Sequence, residues 1–156
     1  MLFCYVLARR VGAAYSTPPP AMPIFGDLQS PGALRQAVQS TSRSGELVLL
    51  HADKRRLRLL VNLVAELAAW QVHHVLVLGF SSSVCTELAA SGDGSLGCAH
   101  SSYLQTGRPA QQISQSLLTA RQVAWLQRFH LLRRLVEEER VNVLALDTDI
   151  TVHAEP

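Results

Sequence analysis

Three short runs of almost uninterrupted apolar residues stand out in the chain after residue 45. They cover residues 47–50, 75–80 and 141–146 and consist largely of Val and Leu. Runs of this length and composition are typical of strands that are buried on both faces of a parallel sheet. The pattern therefore predicts three buried, parallel, neighbouring strands whose carboxyl ends lie at one edge of the sheet.

Helical patterns separate these runs. An apolar stripe at intervals of three and four residues predicts a helix over residues 55–70. Its members are Leu57, Leu60, Val64 and Leu67. A second helix is expected after the serines at 81–83, which can cap its first turn. Residues 98–104 are expected to form a short edge strand, and residues 112–139 are helical in pattern. This alternation of strands and helices predicts an α/β fold, a Rossmann-like parallel sheet with flanking helices.

The first 44 residues lack this regularity. The proline-rich stretch 16–23 cannot continue a helix or a central strand, and a linker is its expected role, with a proline-rich ligand segment as the alternative. A short helix is expected over residues 31–39, with Ser30 as its N-cap. We therefore divide the chain into a peripheral segment, residues 1–44, and an α/β domain, residues 45–156.

Composition and charge exclude several classes of function. Of the 156 residues, 48% are hydrophobic and 17% are charged, and the formal net charge is +2. The longest basic run, residues 54–56, has no aromatic residues interleaved with it, so nucleic-acid binding is not expected. No run of 18 apolar residues is present, and the apolar residues 1–8 are followed rather than preceded by arginines. Neither a membrane span nor a working signal peptide is therefore expected.

Two further motifs carry little weight. The cysteines at positions 4, 85 and 98 have neither the even count of a disulfide framework nor the spacing of zinc ligands, so small apolar or surface cysteines are expected. Residues 92–97 match G-x-G-x-x-G, but a helix rather than a strand precedes them. We expect an exposed, poorly ordered loop there instead of a dinucleotide site.

The sequence Asp147-Thr148-Asp149 directly follows the last predicted strand. In open α/β sheets, ligands bind outside the carboxyl ends of the strands. Carboxylates two residues apart on an extended segment point the same way, and they repel each other unless a cation lies beside them. Their oxygen ligands suit Mg²⁺ or Mn²⁺, which in turn can neutralise a diphosphate. The alternative is an ordinary turn at the end of a strand with exposed aspartates.

His51 and Asp53 end the first predicted strand, and we expect them on the same crevice edge as Asp147. From there they could contact the base or ribose of a nucleotide. The alternative is that they only shape the loop.

Residues 45–156 resemble the nucleotide-diphospho-sugar transferase domain of plants and green algae, the group that includes arabinosyl- and xylosyltransferases. The matching blocks are residues 45–50, Asn62 within 59–67, residues 75–78, the spacing of Arg128, Leu131, Leu132 and Leu135, and residues 143–150 followed by Pro156. The block that contains Asp147-Thr148-Asp149 is the most specific of these.

This resemblance implies a GT-A fold and metal-assisted transfer from a nucleotide sugar, a UDP-sugar, to a glycan or glycoprotein acceptor in the Golgi lumen. It maps the metal ligands, for Mn²⁺ or Mg²⁺, onto Asp147 and Asp149, and it places Thr148 in the same loop. The sugar, the acceptor, the stereochemical outcome and the catalytic residue stay open, as does the oligomeric state.

The chain departs from the family pattern in two places. Gly79-Phe80-Ser81 stands where members often carry an acidic residue, and the half of the domain after the Asp-x-Asp strand is not present in the sequence. We therefore expect the N-terminal part of a GT-A fold, an incomplete domain. The alternative is a non-catalytic α/β binding module or a truncated gene product without activity.

Overall fold

The computed structural model of the chain describes residues 22–90, 96–103 and 119–150. Its strands are β1 (Ile24–Asp27), β2 (Glu46–Ala52), β3 (Val75–Gly79), β4 (Gly97–His100) and β5 (Asn142–Leu146). Its helices are α1 (Ala33–Thr41), α2 (Leu57–Ala69), α3 (Ser82–Ala90) and α4 (Ala120–Glu137), and a 3₁₀ turn, Lys54–Arg56, leads into α2. No helix in this part of the chain is long and apolar enough to cross a membrane.

The five strands form one sheet in the order β1-β4-β3-β2-β5, and every neighbouring pair is parallel. β3 and β5 lie on either side of β2, so the three apolar runs are parallel neighbours with their carboxyl ends at one edge. This confirms the predicted α/β fold with a Rossmann-like parallel sheet.

Alternating side chains of β2 supply the two faces of the sheet. Val48 and Leu50 belong to a core cluster that includes residues of α2 and α3, whereas Leu47 and Leu49 belong to a second cluster with residues of α1 and α4. Successive residues of a strand point to opposite faces, so His51 lies on the α4 face with Leu49. The helices therefore cover both faces, and this arrangement brings α4 close to the end of β2.

The position of the last strand differs from the prediction. β5 was expected to be buried, but it is paired with β2 alone among the described residues, and Leu144 is 57% exposed. Conversely, the strand expected at the edge, β4, lies between β1 and β3. Hydrophobicity indicates that a strand can be buried, but the strand order decides which strands are covered.

Residues 22–44 also differ from expectation. The interpretation of this stretch as peripheral is wrong, because β1 pairs with β4 and α1 packs its buried residues into the second core cluster. The N-cap of α1 is Gly32, in a left-handed conformation with φ of 78°, rather than Ser30. Residues 1–21 lie outside the described part of the chain.

The cysteines and the glycine-rich segment need corrections as well. Cys85 of α3 and Cys98 of β4 form a disulfide with a Cα–Cα distance of 5.5 Å, so the expectation of unpaired cysteines is wrong for these two. Leu96 and Gly97 are buried, which contradicts the predicted exposure at the end of that loop. Residues 91–95 lie outside the described residues.

Candidate functional site

The direction in which successive strands are added to the sheet reverses beside β2. From β2 the chain proceeds through β3 to β4 on one side, and it then returns through α4 to β5 on the other side. Ligands of open α/β sheets bind at such a switch point, outside the carboxyl ends of the strands. A cleft of about 420 Å³ lies here, between the ends of β2 and β5.

All five residues that the sequence indicated as a site line this cleft. They are His51, Asp53, Asp147, Thr148 and Asp149. The parallel register explains why these residues lie close together. Leu50 pairs with Leu146, so the residues that follow the two strands begin side by side at the same edge of the sheet.

Each carboxylate of the Asp-x-Asp sequence is paired with an arginine. Arg128 of α4 donates a hydrogen bond from Nη1 to Asp147 Oδ1, and Arg56 Nη1 lies 3.6 Å from Asp149 Oδ2. The side chains of Asp147 and Asp149 are 55% and 58% exposed. The arginines therefore balance two neighbouring negative charges that would otherwise repel each other.

These two arginines were not predicted as site residues. Arg128 could have been found, because it precedes Leu131 and Leu135 by three and seven residues and therefore shares the buried face of α4. Arg56 offered no such signal, since it appeared only as the last residue of a short basic run.

Asp53 has a local role in the turn after β2. Its Oδ1 accepts hydrogen bonds from the backbone N–H groups of Arg55 and Arg56, at 2.8 and 3.0 Å. This capping holds the turn that presents Arg56 to the cleft. The geometry matches the loop-shaping alternative for Asp53.

His51 is partly buried at the floor of the cleft. Burial, reinforced by the positive charge of Arg128, lowers the pKa of His51 to about 4, although the carboxylates of Asp53 and Asp147 act in the opposite direction. The imidazole is therefore neutral at pH 7. Its Nε2 atom is buried and has no hydrogen-bond partner among the described residues.

Thr148, which also lines the cleft, provides a second buried polar atom without a described partner. Its side chain is 3% exposed, and its Oγ1 has no hydrogen-bond partner in the described part of the chain. Both atoms are buried beneath the surface of the cleft. Buried atoms without a described partner also occur in His74, His100, Gln127 and His130, so they do not by themselves mark a ligand site.

The two carboxylates suit a divalent cation only in combination with other oxygen ligands. No group of three or more His, Cys, Asp or Glu residues that could hold a metal ion occurs in ranges 22–90, 96–103 and 119–150. Mg²⁺, however, is commonly held by one or two carboxylates together with waters and phosphate oxygens of the substrate. Asp147 and Asp149 supply two carboxylates for such a site. They lie in a turn, in which the N–H of Ile150 donates to the Asp147 carbonyl oxygen at 3.4 Å, and not on the extended segment that the sequence predicted. The geometry therefore matches the alternative of a turn with exposed aspartates.

No protein-family model, curated protein or solved structure matches the chain.

Proposed function

We propose that the cleft binds a nucleotide sugar, a UDP-sugar, together with Mn²⁺ or Mg²⁺, as part of a glycosyltransferase of the GT-A type. One observation carries this proposal: three carboxylates and two arginines line one cleft at the switch point of a parallel sheet. Charged groups of both signs suit a ligand that consists of a cation and a diphosphate.

Asp147 and Asp149 would hold the cation in this proposal. A divalent cation neutralises the diphosphate and stabilises its departure as a leaving group. Arg56 and Arg128 would contact the phosphate oxygens, since guanidinium groups match phosphate geometry well. His51, which lines the cleft, would contact the base or ribose.

The acceptor would be a glycan or glycoprotein, and the compartment would be the Golgi lumen. The disulfide between Cys85 and Cys98 supports an oxidising compartment, because disulfides rarely persist where glutathione and thioredoxin keep thiols reduced.

A second candidate is a non-catalytic α/β binding module that takes a nucleotide without a metal ion. The observation that favours it is the pairing of Asp147 with Arg128 and of Asp149 with Arg56, which satisfies both carboxylates without a cation. Such a module would bind UDP equally well with and without Mn²⁺.

Calorimetric titration of UDP with and without Mn²⁺ separates the two candidates. For a metal-dependent site, Asp149→Asn should remove most of the Mn²⁺-dependent UDP binding and Asp147→Asn should weaken it strongly, because Asn keeps the shape but not the charge. Glu137→Gln is the matched control, because it removes an exposed carboxylate of α4 that lies outside the cleft. It should bind UDP as the wild type does. The metal site is wrong if the wild type and the double Asn variant bind UDP equally well with and without Mn²⁺.

A further inference from the structure

The geometry points to an exchange of ionic partners in the cleft. We propose that Asp147 and Asp149 release Arg128 and Arg56 when they take a divalent cation, and that the freed arginines bind the phosphate groups of the ligand. This inference rests on the proposed function and adds a rule for it: the cation and the anionic ligand bind as a pair, and each binds weakly alone.

The charges of the cleft carry the first step. Three carboxylates and two guanidinium groups line it while His51 is neutral, so three negative and two positive charges leave a net charge of −1. A divalent cation that enters alone has to compete with two arginines, because they already form ion pairs with the carboxylates that would bind it. A diphosphate that enters alone meets three carboxylates. When both are present, the carboxylates of Asp147 and Asp149 can face the cation while the two guanidinium groups face the phosphate oxygens.

The positions of the arginines carry the second step. Arg56 reaches the cleft from the turn before α2, and Arg128 reaches it from α4 on the opposite face of the sheet. A ligand between them would thus be contacted from two sides. Arg56 and Asp149 are both more than half exposed, and exposed ion pairs are weak, so breaking this pair costs little.

Thr148 explains why the arginines move rather than the carboxylates. It lies between the two aspartates and is 3% exposed, which anchors the loop in the protein while both neighbours face the cleft. The Arg56 side chain is 52% exposed and can exchange partners without any movement of the backbone. The Arg128 side chain is 14% exposed, so its exchange is limited to phosphate oxygens that come close to its place beside Asp147.

The double variant Arg56→Gln/Arg128→Gln tests the exchange. Free Mn²⁺, measured by electron paramagnetic resonance, reports metal binding without UDP, and calorimetry reports UDP binding at saturating Mn²⁺. We expect Mn²⁺ alone to bind roughly fivefold to tenfold more tightly to the variant, since two competing ion pairs are gone. We expect UDP to bind about tenfold more weakly to it, since two phosphate contacts are lost. A higher affinity for Mn²⁺ alone together with a lower affinity for UDP is the result that the exchange predicts.

The matched control is Arg55→Gln/Arg133→Gln, which removes the same charge from the same 3₁₀ turn and from α4 but outside the cleft. Both of its affinities should stay within about twofold of the wild type, as expected for screened surface charges. If the double variant does not fold, Arg56→Gln alone can replace it, because this side chain is exposed. It should show the same two changes, tighter binding of Mn²⁺ alone and weaker binding of UDP, at smaller size.

The exchange is wrong if Mn²⁺ alone binds the folded variants no more tightly than the wild type, or if the control shows the same gain. Failure of the proposed function looks different. In that case the wild type shows no Mn²⁺-dependent UDP binding, while the measurement with Mn²⁺ alone still reports whether the arginines compete for the carboxylates.

Discussion

Protonation of His51 should make the stability of this protein depend on pH. Burial above all, together with the charge of Arg128, lowers the pKa of His51 from 6.5 to about 4. The unfolded chain therefore takes up a proton at a higher pH than the folded protein does. The stabilisation is fully present above about pH 6.5, and it is lost progressively as the pH falls from 6.5 towards 4.

The size of this effect follows from the difference between the two pKa values, about 2.5. At about 1.36 kcal/mol for each pKa unit, the limit is roughly 3 kcal/mol. At pH 5 the folded protein still excludes most of the proton, and the loss relative to pH 7.5 is about 2 kcal/mol. His51→Gln keeps a polar side chain at this position but cannot titrate, so this part of the pH dependence should vanish.

Urea unfolding at pH 7.5 and pH 5.0, followed by tryptophan fluorescence, measures the effect. The free energy of unfolding of the wild type should fall by about 2 kcal/mol more than that of His51→Gln. Burial also lowers the pKa of His130, but His130 is present in both proteins, so the comparison isolates His51.

Leu49→Val is the control, since it weakens packing on the same face of β2 without changing a titratable group. It should show the wild-type difference between the two pH values. If His51→Gln loses as much stability at pH 5.0 as the wild type, His51 is not buried in its neutral form and the reasoning fails.

Three further changes test other parts of the structure. Thr148→Val should leave the free energy of urea unfolding unchanged or raise it by up to about 1 kcal/mol, because the hydroxyl that it removes is buried without a described partner. A loss above about 2 kcal/mol would show that this hydroxyl makes a hydrogen bond. Replacing Cys85 and Cys98 together by Ala should lower the free energy of urea unfolding by about 3 kcal/mol, since the disulfide closes a loop across 13 residues; equal stability would contradict the bond. Gly97→Ala should cost about 1–3 kcal/mol in the same assay, because its Cβ would overlap Thr41 Cγ2 of α1, and a neutral result would show that α1 does not pack there.

The central part of the fold could be predicted from the sequence because its signals are local. Apolar runs of strand length, helical stripes and serine caps each depend on a few consecutive residues. They located β2, β3 and β5 within one or two residues, and the parallel order of these strands follows from the helices between them.

The rest of the sheet depends on contacts between distant segments. β1 has only four residues, and it follows a proline-rich stretch that hid its pattern. The exposure of β5 is set by the strand order, and the bond between Cys85 and Cys98 is set by the packing of α3 on β4. None of these contacts produces a repeating pattern of apolar residues in the sequence from which it could be predicted.

The candidate site shows the same division. Asp147 and Asp149 could be placed at the carboxyl edge because they directly follow a recognisable strand. Arg128 could be placed on the buried face of α4, but its pairing with Asp147, and that of Arg56 with Asp149, depend on how helices on the two faces of the sheet pack beside the end of β5.

The register between β2 and β5 ties the site to the fold. Five consecutive pairs run from Glu46 with Asn142 to Leu50 with Leu146. Continued by one residue, this register brings His51 level with Asp147, and the influence of the Asp147 carboxylate on the pKa of His51 agrees with that position. A slip of one residue would turn the β5 side chains to the opposite face and move Asp147 away from Arg128. The chemistry of the cleft is therefore set by the same backbone pairing that builds the core, although β5 itself is half exposed.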